Sequence, residues 1–362
     1  MVAGFASGCR MSRLPRARLI ACFAALCAAA GCGGGAGAAT PADAADTATL
    51  ADGAGDPGVT DVAPADSAEI PYEIAMDAAP DEVAPATYDG PWRKSLKSCW
   101  TDATCTRALL VSHGGDWDAD LPYGSKAAFV RAYEKGADAI KTDFLVTKDD
   151  VGVVAHSSPI LFYESPECVD RKIEEMTADE VTACHIGASQ TETYQRVDDV
   201  MEWARGKVLL MLTVKSDTDF GRAISTAIEH DATEFVFIEA YLGAFQGVVL
   251  PLPDHDRMLY NIEVGGTADV GTLLDTIKNP VAFSCEMDAS YPDADTAAMS
   301  ALIANRLHPA GVKAFIDAKD YTSVAAQAGL FQEGFDIVMT YSLDNAVTAR
   351  IQVDQARGVT PP

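Results

Sequence analysis

Two histidines, one carboxylate and two lysines fall at the ends of strand-like runs in this chain. His113 closes Ala108–His113, Lys141 and Asp143 lie two apart in Ala139–Val146, His156 closes Val153–His156, and Lys215 follows Val208–Val214. Alternate residues of a strand share a face, so Lys141 pairs with Asp143 and Thr213 with Lys215 in direction. Two imidazoles beside a cationic pocket suit cleavage of a phosphodiester. One takes a proton from the attacking oxygen and the other gives one to the leaving oxygen. The ammoniums of Lys141 and Lys215 would offset charge on the phosphoryl oxygens.

The elements that must position these groups repeat in order. Strand-like runs are Ala108–His113, Ala139–Val146, Val208–Val214, Phe235–Glu239, Leu259–Val264, Val281–Glu286, Val312–Asp317 and Asp336–Tyr341. Helical patterns lie between them. Ser125 is placed to cap Lys126–Lys135, whose stripe of Ala128, Phe129, Ala132 and Tyr133 stops at Gly136. Others are Glu192–Arg205, Phe220–His230, Ala268–Lys278, Ala297–Leu307, Ser323–Glu333 and 343–356. Eight strand–helix units over about 260 residues predict an α/β fold of the (β/α)8 TIM-barrel type. An open doubly wound sheet is the competitor, but no glycine-rich dinucleotide fingerprint supports it. Val153–His156 follows Val146 too closely for a crossover helix, so it reads as the return arm of a β-hairpin extending the second strand. Residues 157–190 then form an insertion over the barrel mouth.

The rest of the chain sets the context. Arg10, Arg13, Arg16 and Arg18 precede an apolar run, Leu19–Ala30, that ends at Gly31–Cys32. That pattern is a secretory signal, and the run is shorter than the ~18–20 apolar residues of a membrane span. The ending Ala29-Ala30-Gly31-Cys32 resembles a bacterial lipobox, with Ala29 where leucine is usual. It implies lipidation at Cys32 and an exported lipoprotein of the cell envelope or surface, with a plain secreted protein as the alternative. Residues 33–92 carry twelve acidic residues and no Lys or Arg. They read as a disordered acidic Ala/Asp/Pro-rich tether, followed by the barrel domain at 93–362. The formal net charge is −26. Residues 1–32 hold four Arg and no acid, so removing them leaves about −30, which disfavours nucleic acid and anionic membranes as partners. Membrane contact is therefore expected only through the anchor. Cys99, Cys105, Cys168, Cys184 and Cys285 follow Cys32. Exported chains form disulfides. Cys99–Cys105 and Cys168–Cys184 are close enough in sequence to pair, leaving Cys285 free, though sequence alone leaves other pairings open.

With these residues in view, the chain resembles the glycerophosphodiester phosphodiesterase family, within the wider group of phosphatidylinositol-phospholipase-C-like barrels. The family's His-Arg-Gly corresponds to His113-Gly114-Gly115, and its Pro-Glu-Asn-Thr turn to Pro122-Tyr123-Gly124-Ser125. Its Glu-x-Asp strand corresponds to Lys141-Thr142-Asp143, its Thr-Lys-Asp-Gly turn to Thr147-Lys148-Asp149-Asp150, and its His-Asp to His156-Ser157. Its later Glu-x-Lys is Thr213-Val214-Lys215, and its closing Gly-x-Asp-x-Ile-x-Thr-Asp strand is similar to Gly334–Tyr341. The resemblance covers about residues 98–358. It implies hydrolysis of a glycerophosphodiester or phospholipid headgroup, with His113 and His156 as base and acid.

The departures bear on the metal. The resemblance implies a divalent ion, Mg²⁺ or Ca²⁺, held by three carboxylates, of which Lys141 and Thr213 replace two and only Asp143 stays. Hard cations want several oxygen ligands. At ~4 Å and an effective dielectric of ~20, Lys141 would repel a divalent ion by roughly 8 kcal/mol. No cofactor is expected, with Asp143 the only family ligand left. The family's phosphate-contacting Arg is also lost, at Gly114. Two readings of Lys141 follow. In one, its ammonium replaces the metal's charge and the enzyme is metal-independent, as some members of the wider group are. In the other, catalysis is lost and a GDPD-like binding barrel remains. A third reading, a glycan-acting barrel, would use Glu239, Glu263, Glu286 and Asp317 at later strand ends; these could also serve a relocated metal. Trp117 and Phe315 could line a substrate pocket. His185, His230, His255 and His308 read as surface residues.

Overall fold

The chain divides into two units, Met1–Met76 and Asp77–Pro362. The computed structural model describes residues 95–359, apart from 119, 190, 277–281 and 289–295. The signal, Cys32 and the acidic tether lie outside the described residues.

Ten strands form one sheet: β1 Leu109–His113, β2 Ala139–Val146, β3 Gly152–Val154, β4 Gln195–Arg196, β5 Leu209–Val214, β6 Val236–Tyr241, β7 Tyr260–Glu263, β8 Ala282–Asp288, β9 Lys313–Asp317 and β10 Ile337–Thr340. Eight of them, β1, β2 and β5–β10, run parallel. The circle closes because β1 pairs with both β2 and β10. This is a (β/α)8 barrel. Leu109, Leu110, Val111, Ile140, Leu210, Phe237, Ile262 and Phe315 are among the buried strand side chains, as a sheet covered on both faces requires.

The first helix shows how local sequence sets the ends. Ser125 accepts from the Ala128 amide, and Gly136 turns the chain at φ 106°, its amide reaching Ala132 and Tyr133 carbonyls. Two helices differ from the sequence reading. The third unit's helix spans Val197–Ala204 rather than starting at Glu192, because Gln195 and Arg196 are drawn into strand pairing with β3. The helix predicted over Ala297–Leu307 starts at Thr296 and widens into a π-turn at Ile303–Leu307. The short helical segment Leu242–Val249 after β6 was not anticipated.

Strand β1 stops at His113, opposite Lys141 of β2. Beyond that point β2 runs on, and β3 takes the vacated edge in antiparallel register, Phe144 opposite Val154. The hairpin thus lifts the chain above the barrel rim. The segment that follows has its own small apolar core, including Leu145, Val153, Ile160, Ile173, Met176, Val181 and Tyr194. The bond Cys168–Cys184 closes this segment, and Cys99–Cys105 closes a turn before β1. Cys285 is free and buried. Among the described residues no helix is long and apolar enough to cross a membrane.

Candidate active site

The rim of β2 and β5 places two ammoniums around one carboxylate. Asp143 is buried. Its Oδ1 lies 2.5 Å from Lys141 Nζ and 2.8 Å from Lys215 Nζ, and its Oδ2 accepts from the Tyr123 hydroxyl at 2.6 Å. Lys141 also donates to the Tyr123 oxygen at 3.0 Å. Burial pushes the Asp143 carboxyl up, but the two ammoniums outweigh it and hold it well below the usual range. Two ammoniums against one carboxylate leave a net positive charge under the site.

His113 stacks on Tyr341 with ring centroids 4.1 Å apart. Its Nδ1 is buried without a hydrogen-bond partner. Burial, then the charge of Lys141, brings its pKa down to about 3 despite the pull of Asp143. The ring is therefore neutral at ordinary pH. His156 is held differently. Its Nδ1 lies 2.9 Å from Glu164 Oε1 and 3.0 Å from Ser157 Oγ, and Ser157 also donates to Glu164 at 2.7 Å. Burial raises the Glu164 carboxyl, but its bonds from His156 and Ser157 bring it below its ordinary value. With Nδ1 engaged by a carboxylate, Nε2 is the nitrogen left to exchange a proton.

Both histidines and Asp143 line one cavity of about 400 Å³, walled also by Trp117, Tyr123 and Tyr163. Neither Lys141 nor Lys215 is among its lining residues; Lys141 is buried, Lys215 is 25% exposed, and both bond to Asp143. Phe315 lies in the core. Of the other histidines, His185 pairs with Glu167 and His308 with Asp336.

The sequence reading missed Tyr123 and Glu164. Tyr123 sits centrally, 5.3 Å from the His113 ring and 6.0 Å from that of His156. Its place depends on Gly114. A Cβ on Gly114 would lie 1.9 Å from Tyr123 Cε2, and the glycine holds φ +69°. The position where the resembling family carries arginine is thus emptied, and an aromatic ring fills the space. The substitution in His-Gly-Gly read beside Pro-Tyr-Gly-Ser was the available signal. Gly114→Ala is expected to destabilise the fold by about 2–4 kcal/mol, from left-handed backbone strain and overpacking together. Urea unfolding of Gly114→Ala, Tyr123→Ala and the double variant should show a coupling of roughly 1–3 kcal/mol.

The residues present do not fit the divalent metal that the resemblance implies. Asp143 already carries two ammoniums, and Thr213 donates to Glu239. Among the described residues no three acidic, imidazole or thiol groups converge as a metal needs. The later carboxylates make a separate cluster. Glu286 is buried, bonded to Asn261 and Glu239, and burial with the charge of Glu239 pushes its carboxyl well up. None of Glu239, Glu263, Glu286 and Asp317 lines the cavity.

Comparison with known proteins agrees with this architecture. Residues 118–237 match the sequence model of the glycerophosphoryl diester phosphodiesterase family. No curated protein sequence matches the chain. Among solved structures, a glycerophosphoryl diester phosphodiesterase from Parabacteroides distasonis is similar at 18% identity and TM-score 0.57, over 72% of this chain and 90% of that one. A glycerophosphodiester phosphodiesterase from Agrobacterium tumefaciens is similar at 17% identity and TM-score 0.53, over 66% and 99%. A phosphodiesterase from Oleispira antarctica, solved with the product sn-glycerol-3-phosphate, is similar at 16% identity and TM-score 0.54, over 69% and 99%. At such identities the structures speak for the fold. The family-model match spans Asp143, His156 and Lys215, so this third of the chain is similar to the glycerophosphoryl diester phosphodiesterase family.

Proposed function

We propose that this chain hydrolyses a small phosphodiester, a glycerophosphodiester or a phospholipid headgroup, by histidine acid–base chemistry without a divalent metal. The observation that carries it is the shared cavity of His113 and His156 above the Lys141–Asp143–Lys215 cluster. The sn-glycerol-3-phosphate bound to the Oleispira protein supports this choice of substrate. In this reading neutral His113 accepts the proton of the attacking oxygen as its new bond to phosphorus forms. An arriving anion opposes the lysines that depress His113, so the ring becomes a better base when the site is filled. His156, oriented by Glu164 through Nδ1, gives a proton from Nε2 to the leaving oxygen as that bond to phosphorus breaks. The positive cluster lowers the cost of charge on the phosphoryl oxygens.

A second reading, a binding barrel without turnover, draws on one observation: neither lysine is among the cavity's lining residues. Hydrolysis of bis(p-nitrophenyl) phosphate and glycerophosphocholine by the full chain separates the two. Equal turnover in Mg²⁺, in Ca²⁺ and in excess EDTA is expected. Turnover only with metal would overturn the metal-free mechanism and direct attention to Glu239, Glu263, Glu286 and Asp317. Binding of either substrate without turnover would favour the second reading.

A further inference from the structure

The described residues expose five large apolar side chains: Trp117 (44%), Leu161 (41%), Phe162 (69%), Tyr163 (67%) and Tyr241. Four of these five belong to the mouth of one cavity. Trp117 and Tyr163 line it, and Leu161 and Phe162 precede Tyr163 in the same turn. We propose that this rim is an interfacial surface that seats the protein on a zwitterionic phospholipid bilayer and presents a lipid headgroup to the cavity. The inference deepens the proposed function and rests on its phosphodiester reading for the identity of the headgroup.

The turn is built to hold these side chains outward. Ile160, directly before it, is buried, and both its backbone groups are paired, with Arg171 at 2.9 Å and Asp170 at 2.9 Å. Ser165, directly after it, is buried, and the Glu164 and Ser165 amides bond the Leu161 carbonyl. The Glu164 side chain reaches back to His156 and to the Leu161 amide. The Cys168–Cys184 bond closes the segment just beyond. Trp117 is fixed from the other side, its indole N–H donating to the His113 carbonyl at 2.9 Å. Two anchored segments therefore project apolar groups into solvent at one place. Contiguous exposed apolar groups mark an interaction site, and rigid aromatic rings with a polar tip suit the headgroup level of a membrane.

Charge selects the kind of surface. The chain carries a net −26, and the rim's one cavity-lining acid beside Trp117, Asp118, is half exposed and paired with Arg131 at 2.9 Å. An anionic bilayer would be repelled, whereas a zwitterionic one is neutral toward this field. A soluble glycerophosphodiester would leave Leu161 and Phe162 with nothing to bury against. A second copy of the chain docked there would block both cavities.

The test uses the full chain carrying Cys32→Ser, so that no acyl group at that position contributes, and phosphatidylcholine vesicles. The comparison is the same chain with Leu161→Ser and Phe162→Ser, two exposed positions outside the cavity wall. Co-sedimentation is expected to fall at least tenfold in the variant, while hydrolysis of soluble glycerophosphocholine stays unchanged. Replacing half of the phosphatidylcholine with phosphatidylglycerol is expected to weaken binding of the parent chain. Equal sedimentation of parent and variant, or none by the parent, overturns the proposal whatever the turnover. A dimer of the parent chain that dissociates in the variant and does not bind vesicles overturns it in favour of self-association. Binding that depends on Leu161 and Phe162 without hydrolysis upholds the interface and sinks the hydrolase reading alone.

Discussion

His156→Ala is expected to lower phosphodiester turnover by about 10²- to 10⁴-fold, the usual worth of a positioned acid–base group. The ring is anchored by Glu164 and Ser157 through one nitrogen and lines the cavity. It is also partly exposed, with 41% of its side chain accessible, so alanine there removes chemistry and little packing. Unfolding midpoints of parent and variant should agree within a degree or so, as surface changes usually do. Glu164→Gln sharpens the assignment. The Glu164 carboxylate holds the ring through Nδ1, and an amide there holds it less firmly, so kcat should fall, but by less than in His156→Ala. Undiminished turnover in His156→Ala would remove this residue from the mechanism.

Asp143→Asn carries the largest expected effect on stability, about 3–5 kcal/mol, as for a buried ion pair broken from one side. Lys141, its side chain 4% exposed, would face Lys215 with no carboxylate between them. For a domain of this size the melting temperature should drop by roughly 6–20 °C. Removing Lys141 and Asp143 together, as Lys141→Met with Asp143→Leu, should cost less than Asp143→Asn, because Lys215 is 25% exposed and can turn to water. Acid should act on the same cluster. The Asp143 carboxyl titrates lower in the folded chain than in the unfolded one. Its contribution is thus complete above about pH 4, the unfolded value, and is lost as pH falls toward the folded value. His113 adds to this from a higher pH. Its folded pKa of about 3 lies below the unfolded value, near 6.5, so stability falls as pH drops through the window between them. Urea unfolding at a series of pH values checks both, and Asp143→Asn should flatten the acid part of the curve. A cost under about 1 kcal/mol would mean that water already reaches the lysines.

The barrel was legible because its strands announce themselves. β2 was read at its observed bounds, and β1, β5 and β9 began one residue later than read, since apolar runs between capped helices leave little choice. What escaped depends on partners distant in sequence. Gln195 and Arg196 look helical alone and become strand only because β3 lies beside them. Glu164 has nothing local to mark it, and its role comes from the fold of the insertion bringing it back to His156. The residue types at Lys141, Asp143 and Lys215 were plain, but not that one carboxylate would serve both lysines. Tyr123 was hidden for another reason. A missing side chain at Gly114 gives no positive sign in a sequence, although the space it leaves decides where the ring goes.

Gly114 and Tyr123 constrain each other. A large side chain restored at position 114 would meet the Tyr123 ring before it could reach any phosphate. Losing Tyr123 first would strip Asp143 and Lys141 of a shared hydrogen-bond partner. Each single reversal passes through a worse molecule, so the two positions act as a ratchet. A chain that holds glycine and tyrosine at these two positions is steered toward refining a site with no large side chain at 114.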